Sequence, residues 1–348
     1  MTRPGESGMT PALSMEKLSD TFGRVASNLR ISVTDRCNFR CRYCMPEEGM
    51  EWLKKNMLLS FEEIGRVVEI FASLGVSKIR LTGGEPLMRK ELWNLVALLR
   101  RVRGIRDIAL TTNGFFLAEQ AKLLRDAGLD RINVSLDSLD PATFTAMARR
   151  AYFEKTWEGI EEALRCGLSP VKVNVVLIRG VNDGEIEAFA HLARTRPIVV
   201  RFIEFMPIGM EDGWSIERVV PTREVIGRID AVSHLVPVNR EPASPEAVKA
   251  PAERYRFADG AGEIGVISSV TQPFCGDCNR VRITSDGKFR TCLFSLKETD
   301  LRALLRGGSP DAEIAATIAA AVRGKEEGHL INRPGFVRPE RTMSSIGG

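Results

Sequence analysis

No apolar run in this 348-residue chain approaches the ~18 residues that a membrane-spanning helix needs. Residues 1–15 lack the apolar core of a secretory signal, so export is not expected. An excess of one charge is also missing, since 49 Lys and Arg face 45 Asp and Glu for a formal net charge of +4. With 44% hydrophobic and 27% charged residues, the composition excludes a disordered chain, a collagen-like chain and a heavily charged nucleic-acid coat protein. No stripe of alternating basic and aromatic residues is present to track a nucleic-acid backbone. Paired cysteines are lacking too. Seven of them in a large chain without a signal argue against a disulfide framework and for a reducing, cytoplasmic setting.

What the sequence does have is an alternation of short β-branched runs and amphipathic stretches. Strands are expected at 29–34, 78–82, 107–112, 131–135, 171–177 and 198–205. Helices are expected at 60–74, where Ser60 and Glu63 form a capping box, and at 90–103, 117–127, from 141, 153–166 and 183–195. Strand–helix units at these intervals predict parallel pairing with right-handed crossovers. Six units are too few for a closed eight-stranded barrel. The expected fold is therefore α/β: an open, partial (β/α)6 barrel over 28–236, covered laterally by an α+β extension over 237–348. Residues 1–27 read as a flexible leader and 237–251 as an exposed, Pro-rich loop. Strands at 261–269 and 280–285, and helices at 301–305 and 312–323, complete the extension.

The cysteines are clustered. Cys37, Cys41 and Cys44 follow the first strand with C-x3-C-x2-C spacing, at the end of the strand where parallel barrels carry their chemistry. Three thiolates leave one position of a metal centre open, whereas a structural zinc site closes with four. Arg36, Arg40 and Arg42 flank the triad and favour thiolates. The plain alternative is a zinc knuckle or a chance cluster. Gly83-Gly84-Glu85-Pro86 follows the second strand, and glycines there let the backbone come close to a ligand. Ser135 and Met206 lie on the same strand ends.

Cys275, Cys278 and Cys292 make a second set, C-x2-C-x13-C, with no fourth candidate at a ligand offset in His234 or His329. An iron–sulfur cluster with one open iron fits this set, and a zinc completed by Asp277 or water is the alternative. If 280–282 is extended, Arg280 and Arg282 share a face and form a fork for phosphate oxygens. Cys166 stands outside both sets and reads as a core thiol.

The first triad, with Tyr43 just before its third cysteine and Gly-Gly-Glu-Pro about forty residues on, resembles the radical S-adenosylmethionine (SAM) superfamily. Within that superfamily the chain resembles the GTP 3′,8-cyclase family of molybdenum-cofactor biosynthesis. The resemblance runs from about Leu29 to Gly348 and rests on 34–41 (TDRCNFRC), 81–86 (LTGGEP), 111–114 (TTNG), 133–138 (NVSLDS), 201–206 (RFIEFM), 278–282 (CNRVR) and the final Gly347-Gly348.

It implies a lyase with two [4Fe–4S] clusters. Cys37, Cys41 and Cys44 would hold the cluster that binds SAM, with Tyr43, Gly84, Ser135 and Met206 against SAM. Cys275, Cys278 and Cys292 would hold a second cluster facing the substrate. Arg30, Arg80, Thr111, Lys172, Arg280, Val281 and Arg282 would bind GTP, and Gly347 and Gly348 would enter the pocket as a tail. The implied reaction is reductive cleavage of SAM, abstraction of the ribose 3′ hydrogen of GTP and cyclisation to (8S)-3′,8-cyclo-7,8-dihydroguanosine 5′-triphosphate, with no acid–base side chain assigned. Implied partners are an electron-donor protein of unspecified identity and a following enzyme that forms cyclic pyranopterin monophosphate; a homodimer is left open. A peptide maturase with an auxiliary cluster is the competing enzyme reading, and a zinc-dependent nucleic-acid binder the non-enzyme one.

Overall fold

The computed structural model describes residues 17–208, 213–238 and 251–347. Strands β1 (Asn28–Ser32), β2 (Lys78–Thr82), β3 (Asp107–Thr112), β4 (Arg131–Ser135), β5 (Val171–Leu177) and β6 (Ile198–Glu204) lie side by side in chain order, each pair parallel. Between them run α1 (Phe61–Ser73), α2 (Leu92–Arg100), α3 (Leu117–Asp126), α4 (Pro141–Ala148), α5 (Phe153–Arg165) and α6 (Ile186–Thr195).

The first helix shows why these segments fold as they do. Ser60 accepts from the Glu63 amide at 3.1 Å and donates its own amide to the Glu63 carboxylate at 2.7 Å, so the expected capping box is formed. Ile64, Val67, Val68 and Phe71 then recur at helical spacing and face the sheet. Gly75 follows with φ +93° and turns the chain out of the helix.

In β5 and β6 the burial alternates strictly. Val171, Val173, Val175 and Leu177 pack outward under the helices in the main core, while Lys172, Asn174 and Val176 point to the interior of the curved sheet.

After α7 (Thr222–Val232) the chain returns to both edges of this sheet. β7 (Leu235–Pro237), β8 (Glu253–Phe257) and β9 (Glu263–Ile267) form an antiparallel set, and β9 pairs parallel with β6. β10 (Arg280–Ile283) pairs parallel with β1 and carries the antiparallel β11 (Lys288–Arg290) and β12 (Thr299–Asp300). Among the described residues the result is one twelve-stranded sheet in which eight consecutive strands, β10-β1-β2-β3-β4-β5-β6-β9, are parallel. Helices α8 (Leu301–Arg306), α9 (Asp311–Arg323) and the short α10 (Met343–Ile346) end the chain.

The expected barrel core is thus present, and the extension lengthens its sheet at each edge rather than only covering a gap. The antiparallel strands were not anticipated, because two to five residues at a sheet edge carry too little periodicity to register. Helix α7 was missed as well.

The leader requires correction. Residues 17–27 are packed: Leu18 and Ala26 are buried in the main core, Asp20 and Arg24 form a buried ion pair, and Ser19 bridges Val25. Four apolar residues (Leu18, Phe22, Val25 and Ala26) scattered among polar ones read as a solvated segment, yet Arg24 is held by the carbonyls of the remote residues 275, 326 and 327. Residues 1–16 and most of the expected loop 237–251 lie outside the described residues, and Pro237 itself closes β7.

Candidate active site

The first triad sits in the loop that leaves β1. Arg40 and Arg42 dock this loop on the end of α4 through their amides, to the carbonyls of Ala148 at 3.1 Å and Met147 at 3.0 Å. Phe39 packs edge-on against Phe144 with ring centres 5.9 Å apart.

The Gly83–Gly84 turn meets the same loop from the other side, and this changes the role expected of its glycines. A Cβ on Gly84 would lie 2.3 Å from the Arg36 carbonyl oxygen and 2.4 Å from that of Asp35. The Gly84 amide is already committed to the Thr34 carbonyl at 2.8 Å, and the Glu85 amide to that of Arg36 at 2.7 Å. The missing side chain therefore permits contact with the thiol loop itself, while Gly84 still lines the adjoining cavity.

Glu85 holds the turn in place. Its buried carboxylate accepts from the Leu87 amide at 2.9 Å, the Thr112 hydroxyl at 2.6 Å and the Asn113 amide at 2.7 Å. Burial pushes this carboxyl up to about 7, with the three donors opposing the rise. Asn113 donates to Asn38 at 2.8 Å and reaches the Cys37 sulfur at 3.9 Å, so the loops after β1, β2 and β3 are knitted together. Tyr43 donates its hydroxyl to Asp137 at 2.6 Å, and burial raises that carboxyl to about 6. Burial drives the Cys37 and Cys44 thiols up to about 12, so a metal-based group would have to supply the charge that stabilises these thiolates. A soft donor set of three such sulfurs, with Ser135 and Met206 on the same cavity, fits a [4Fe–4S] group open to a further ligand.

The second triad comes from a single turn at Cys275–Asp277, the extended Cys278 and the loop after β11 that carries Cys292. All three line the same cavity as the first triad. Burial alone would raise the Cys278 thiol, but Arg280 and Lys325 bring it down to about 6. His329 lines the cavity without being free to ligate. Its Nε2 lies 2.8 Å from the Ser269 carbonyl oxygen, and its Nδ1 faces the Ile331 amide at 3.2 Å. Among the described residues, no three His, Cys, Asp or Glu side chains are gathered closely enough to hold a single metal ion.

Between β10 and β6 the interior face is strongly cationic. Parallel register places Arg282 beside Arg30 and Arg30 beside Arg80, three guanidinium groups on adjacent strands. Arg80 donates to Thr111 at 3.3 Å. Among the described residues, the cavity wall carries eight cationic side chains (the five just named or expected, with Arg201, Lys78 and Arg131, the last paired with Asp107 behind the wall) and one carboxylate, Asp137.

Burial and mutual repulsion are visible in the acidities. Arg30 is pushed well below its ordinary value by burial and by Arg282, Arg280 and Arg80. Burial, reinforced by neighbouring arginines, lowers Arg80 to about 10, Lys172 to about 8, and Arg201 and Arg282 to about 9. The Nε atoms of Arg30 and Arg80 are buried without a partner. A wall of like charges with unfilled donors is unfavourable alone and is relieved by a polyanion.

Val281 differs from its neighbours. Its side chain is buried in the main core, so only its main chain could meet a ligand. The C-terminal tail reaches the same wall: Arg282 donates to the Gly347 carbonyl, and a Cβ on Gly347 would lie 2.8 Å from Thr82 Cγ2. Gly348 lies outside the described residues. Cys166 is partly buried at the end of α5, packed on the core edge and donating to Glu162 at 3.0 Å, rather than deep in the core.

Two family models match the chain, Radical SAM superfamily over residues 31–193 and Molybdenum Cofactor Synthesis C over 198–331. The chain is 46% identical to the GTP 3′,8-cyclase of Streptomyces coelicolor, over 95% of this chain and 96% of that one. It is 48% identical to the GTP 3′,8-cyclase of Pelotomaculum thermopropionicum, over 95% and 100%. The chain belongs to the GTP 3′,8-cyclase family.

Among solved structures, Streptococcus suis SuiB bound to the precursor peptide SuiA shares the fold at TM-score 0.59 and 13% identity, covering 91% of this chain and 76% of that one. This likeness concerns architecture alone. Within the GTP 3′,8-cyclase framework, sixteen of the residues expected at the site line one cavity of about 370 Å³, within the ~300–1,000 Å³ common for ligand pockets.

Sequence reasoning missed Arg201, which is oriented by Asn174 at 2.9 Å and Asn133 at 2.5 Å without any carboxylate. Strand alternation could have found it, because Arg201 is in phase with Ile203 and Val199 on the inner face of β6. Asp137 and Asn113 gave no such signal, since their partners come from other loops. No helix among the described residues is long and apolar enough to cross a membrane.

Proposed function

We infer that this chain is a radical SAM lyase that converts GTP to (8S)-3′,8-cyclo-7,8-dihydroguanosine 5′-triphosphate in molybdenum-cofactor biosynthesis. The observation that carries this reading is the cavity wall of eight cations and one carboxylate, bordered by two three-cysteine sets. A triphosphate supplies the missing negative charge, whereas a peptide would leave most of the wall uncompensated.

Cys37, Cys41 and Cys44 would hold the [4Fe–4S] cluster that binds SAM. Reduced and loaded with SAM, that cluster supplies a 5′-deoxyadenosyl radical able to take the ribose 3′ hydrogen of GTP. Tyr43, Gly84, Ser135 and Met206 border the SAM end. Cys275, Cys278 and Cys292 would hold a second [4Fe–4S] cluster on the same cavity, where three protein ligands would leave it able to bind substrate. Arg30, Arg80, Lys172, Arg201, Arg280 and Arg282 bind and orient the triphosphate, and Thr111 fixes Arg80. The protein's part is position and exclusion of water, with Gly347 closing the wall beside Arg282. Residues 28–236 would form the SAM-binding barrel and 237–348 the substrate-cluster unit, in a cytoplasmic enzyme served by a separate one-electron donor protein and a following enzyme that takes the product. A homodimer is compatible with this reading.

Anaerobically reconstituted protein given SAM, dithionite and GTP deuterated at the ribose 3′ carbon should transfer that deuterium to 5′-deoxyadenosine. Formation of unlabelled 5′-deoxyadenosine alone would overturn the assignment of GTP as the hydrogen donor.

A further inference from the structure

The thiols of the second triad come from two stretches of chain, Cys275 with Cys278 and then Cys292 after β11, and one short segment touches the surroundings of all three. That segment is Lys325-Glu326-Glu327, directly after α9. The buried Lys325 donates its ammonium to the carbonyls of Cys278 at 2.9 Å and Arg280 at 3.0 Å, and reaches the Cys278 sulfur at 3.8 Å. The Glu326 carboxylate accepts from Thr291 at 3.1 Å and Ser295 at 2.9 Å, on either side of Cys292.

Arg24 completes the set. Its Nη1 donates to the carbonyls of Cys275 at 2.8 Å and Glu327 at 2.7 Å, and its Nη2 to that of Glu326 at 2.7 Å. Arg24 is in turn held by Asp20, which accepts from its Nε at 2.5 Å and from its amide at 2.9 Å. All of Arg24, Asp20 and Lys325 are buried. Three carbonyls and an ion pair occupy four of the five N–H donors of the buried Arg24, so its fork is committed to the protein's own main chain and to Asp20. Its work is structural alignment of the Cys275 turn with the 325–327 segment.

We propose that Lys325-Glu326-Glu327, locked by Arg24, is the frame that sets the spacing of Cys275, Cys278 and Cys292, and that the Lys325 ammonium makes the group held by these thiols easier to reduce. Both are positioning roles, and they rest on the second-cluster reading above. The physical basis is simple. Adding an electron makes a thiolate-ligated cluster more negative, and a buried cation hydrogen-bonded to a ligating sulfur favours that more negative state. The carbonyls of Cys278 and Arg280 hold that cation, and the segment carrying it is tied to the loop around Cys292 through Glu326 and to the Cys275 turn through Arg24.

The test uses the full chain with Cys37, Cys41 and Cys44 changed to serine, so that only the second site can bind iron. In this parent, iron is counted after anaerobic reconstitution, and the one-electron reduction by dithionite is followed by paramagnetic resonance. The parent should hold about four irons, as one cluster of the four-iron type. Lys325→Met should keep that iron but shift the oxidised-to-reduced ratio at a given potential at least tenfold toward oxidised, which is 59 mV lower for a one-electron couple. Lys325→Arg should restore the parent potential. Arg24→Gln should lower the iron held at this site by at least half, while Arg24→Gln in the chain with an intact first triad keeps about four irons there.

A parent without iron overturns the second-cluster reading and the proposal together. A parent with four irons whose potential is unmoved by Lys325→Met, or whose iron content is unmoved by Arg24→Gln, overturns the proposal and leaves the reading intact. The iron bound by the first triad also reports whether Arg24→Gln has folded.

Discussion

Replacing Arg80 by methionine should stabilise the ligand-free protein and weaken its complex with GTP. Arg80 stands next to Arg30 in parallel register, its Nε is buried without a partner, and its one side-chain bond inside the cavity is a long 3.3 Å contact with Thr111. Burial, then repulsion from Arg131 and Arg280, brings its acidity from 12.5 to about 10. At neutral pH that fall corresponds to roughly 3 kcal/mol of unfavourable charge in the folded state. The side chain is only half-buried, so solvent screening reduces the figure to about 1–2 kcal/mol.

Methionine keeps most of the apolar stem and removes the charge. The melting temperature of the cluster-loaded, GTP-free protein should therefore rise by about 2–6 °C. A charge-assisted hydrogen bond to phosphate contributes about 1.5–3 kcal/mol, so the variant should bind GTP roughly 10- to 150-fold more weakly. At a GTP concentration of 100 times the parent's dissociation constant, the parent gains about 2.7 kcal/mol of stability from the ligand. The variant should gain no more than about 1.4 kcal/mol under the same conditions. Anaerobic thermal unfolding with and without GTP measures both quantities. A variant that melts lower without GTP would refute the claim that this wall is strained by its own charges. An unchanged GTP-induced shift would refute the claim that the row grips the triphosphate.

Four further outcomes are expected. Lys172, lowered to about 8 by burial and by Arg201, must be charged to meet phosphate, so GTP affinity should fall as pH rises through about 8; titration calorimetry should find that Lys172→Met removes this dependence. With the same group's folded acidity below its ordinary 10.5, its unfavourable contribution to ligand-free stability is present below about 8 and disappears toward 10.5, so the parent should gain stability over that interval relative to Lys172→Met. Gly84→Ala forces a Cβ into two carbonyl oxygens at 2.3 and 2.4 Å, and should displace the thiol loop, leaving about four of an expected eight irons per chain by colorimetric analysis. Gly347→Ala adds a Cβ 2.8 Å from Thr82 at a φ of +86°; it should displace the tail and reduce cyclisation at least tenfold, with iron content unchanged.

Much of the site was legible because its signals are local. Cys37, Cys41 and Cys44 fall within one loop, and Gly83-Gly84-Glu85-Pro86 within one turn, so spacing alone identified them. The six barrel strands were legible for a related reason: Val, Ile and Leu runs between amphipathic helices need no partner to be seen. The packed segment 17–27 was not, because Arg24 is satisfied by carbonyls some 250 and 300 positions away. Nor was the structural role of Gly84, which depends on the approach of the 34–36 backbone. Val281 was grouped with Arg280 and Arg282 as a GTP contact, yet strand alternation turns its side chain into the core.

By itself the sequence singled out the candidate residues: two sets of three thiols, each short of a closed metal site, and basic residues on the strands. Only the tertiary structure decided that these belong to one place. Register between β10, β1 and β2 lines up Arg282, Arg30 and Arg80, and the return of the chain to both edges of the sheet brings the second triad to the cavity of the first. The reason is physical. Spacing along a chain governs contacts within a turn or a strand, whereas hydrogen-bond register and the burial of distant loops govern which charges face one another across it.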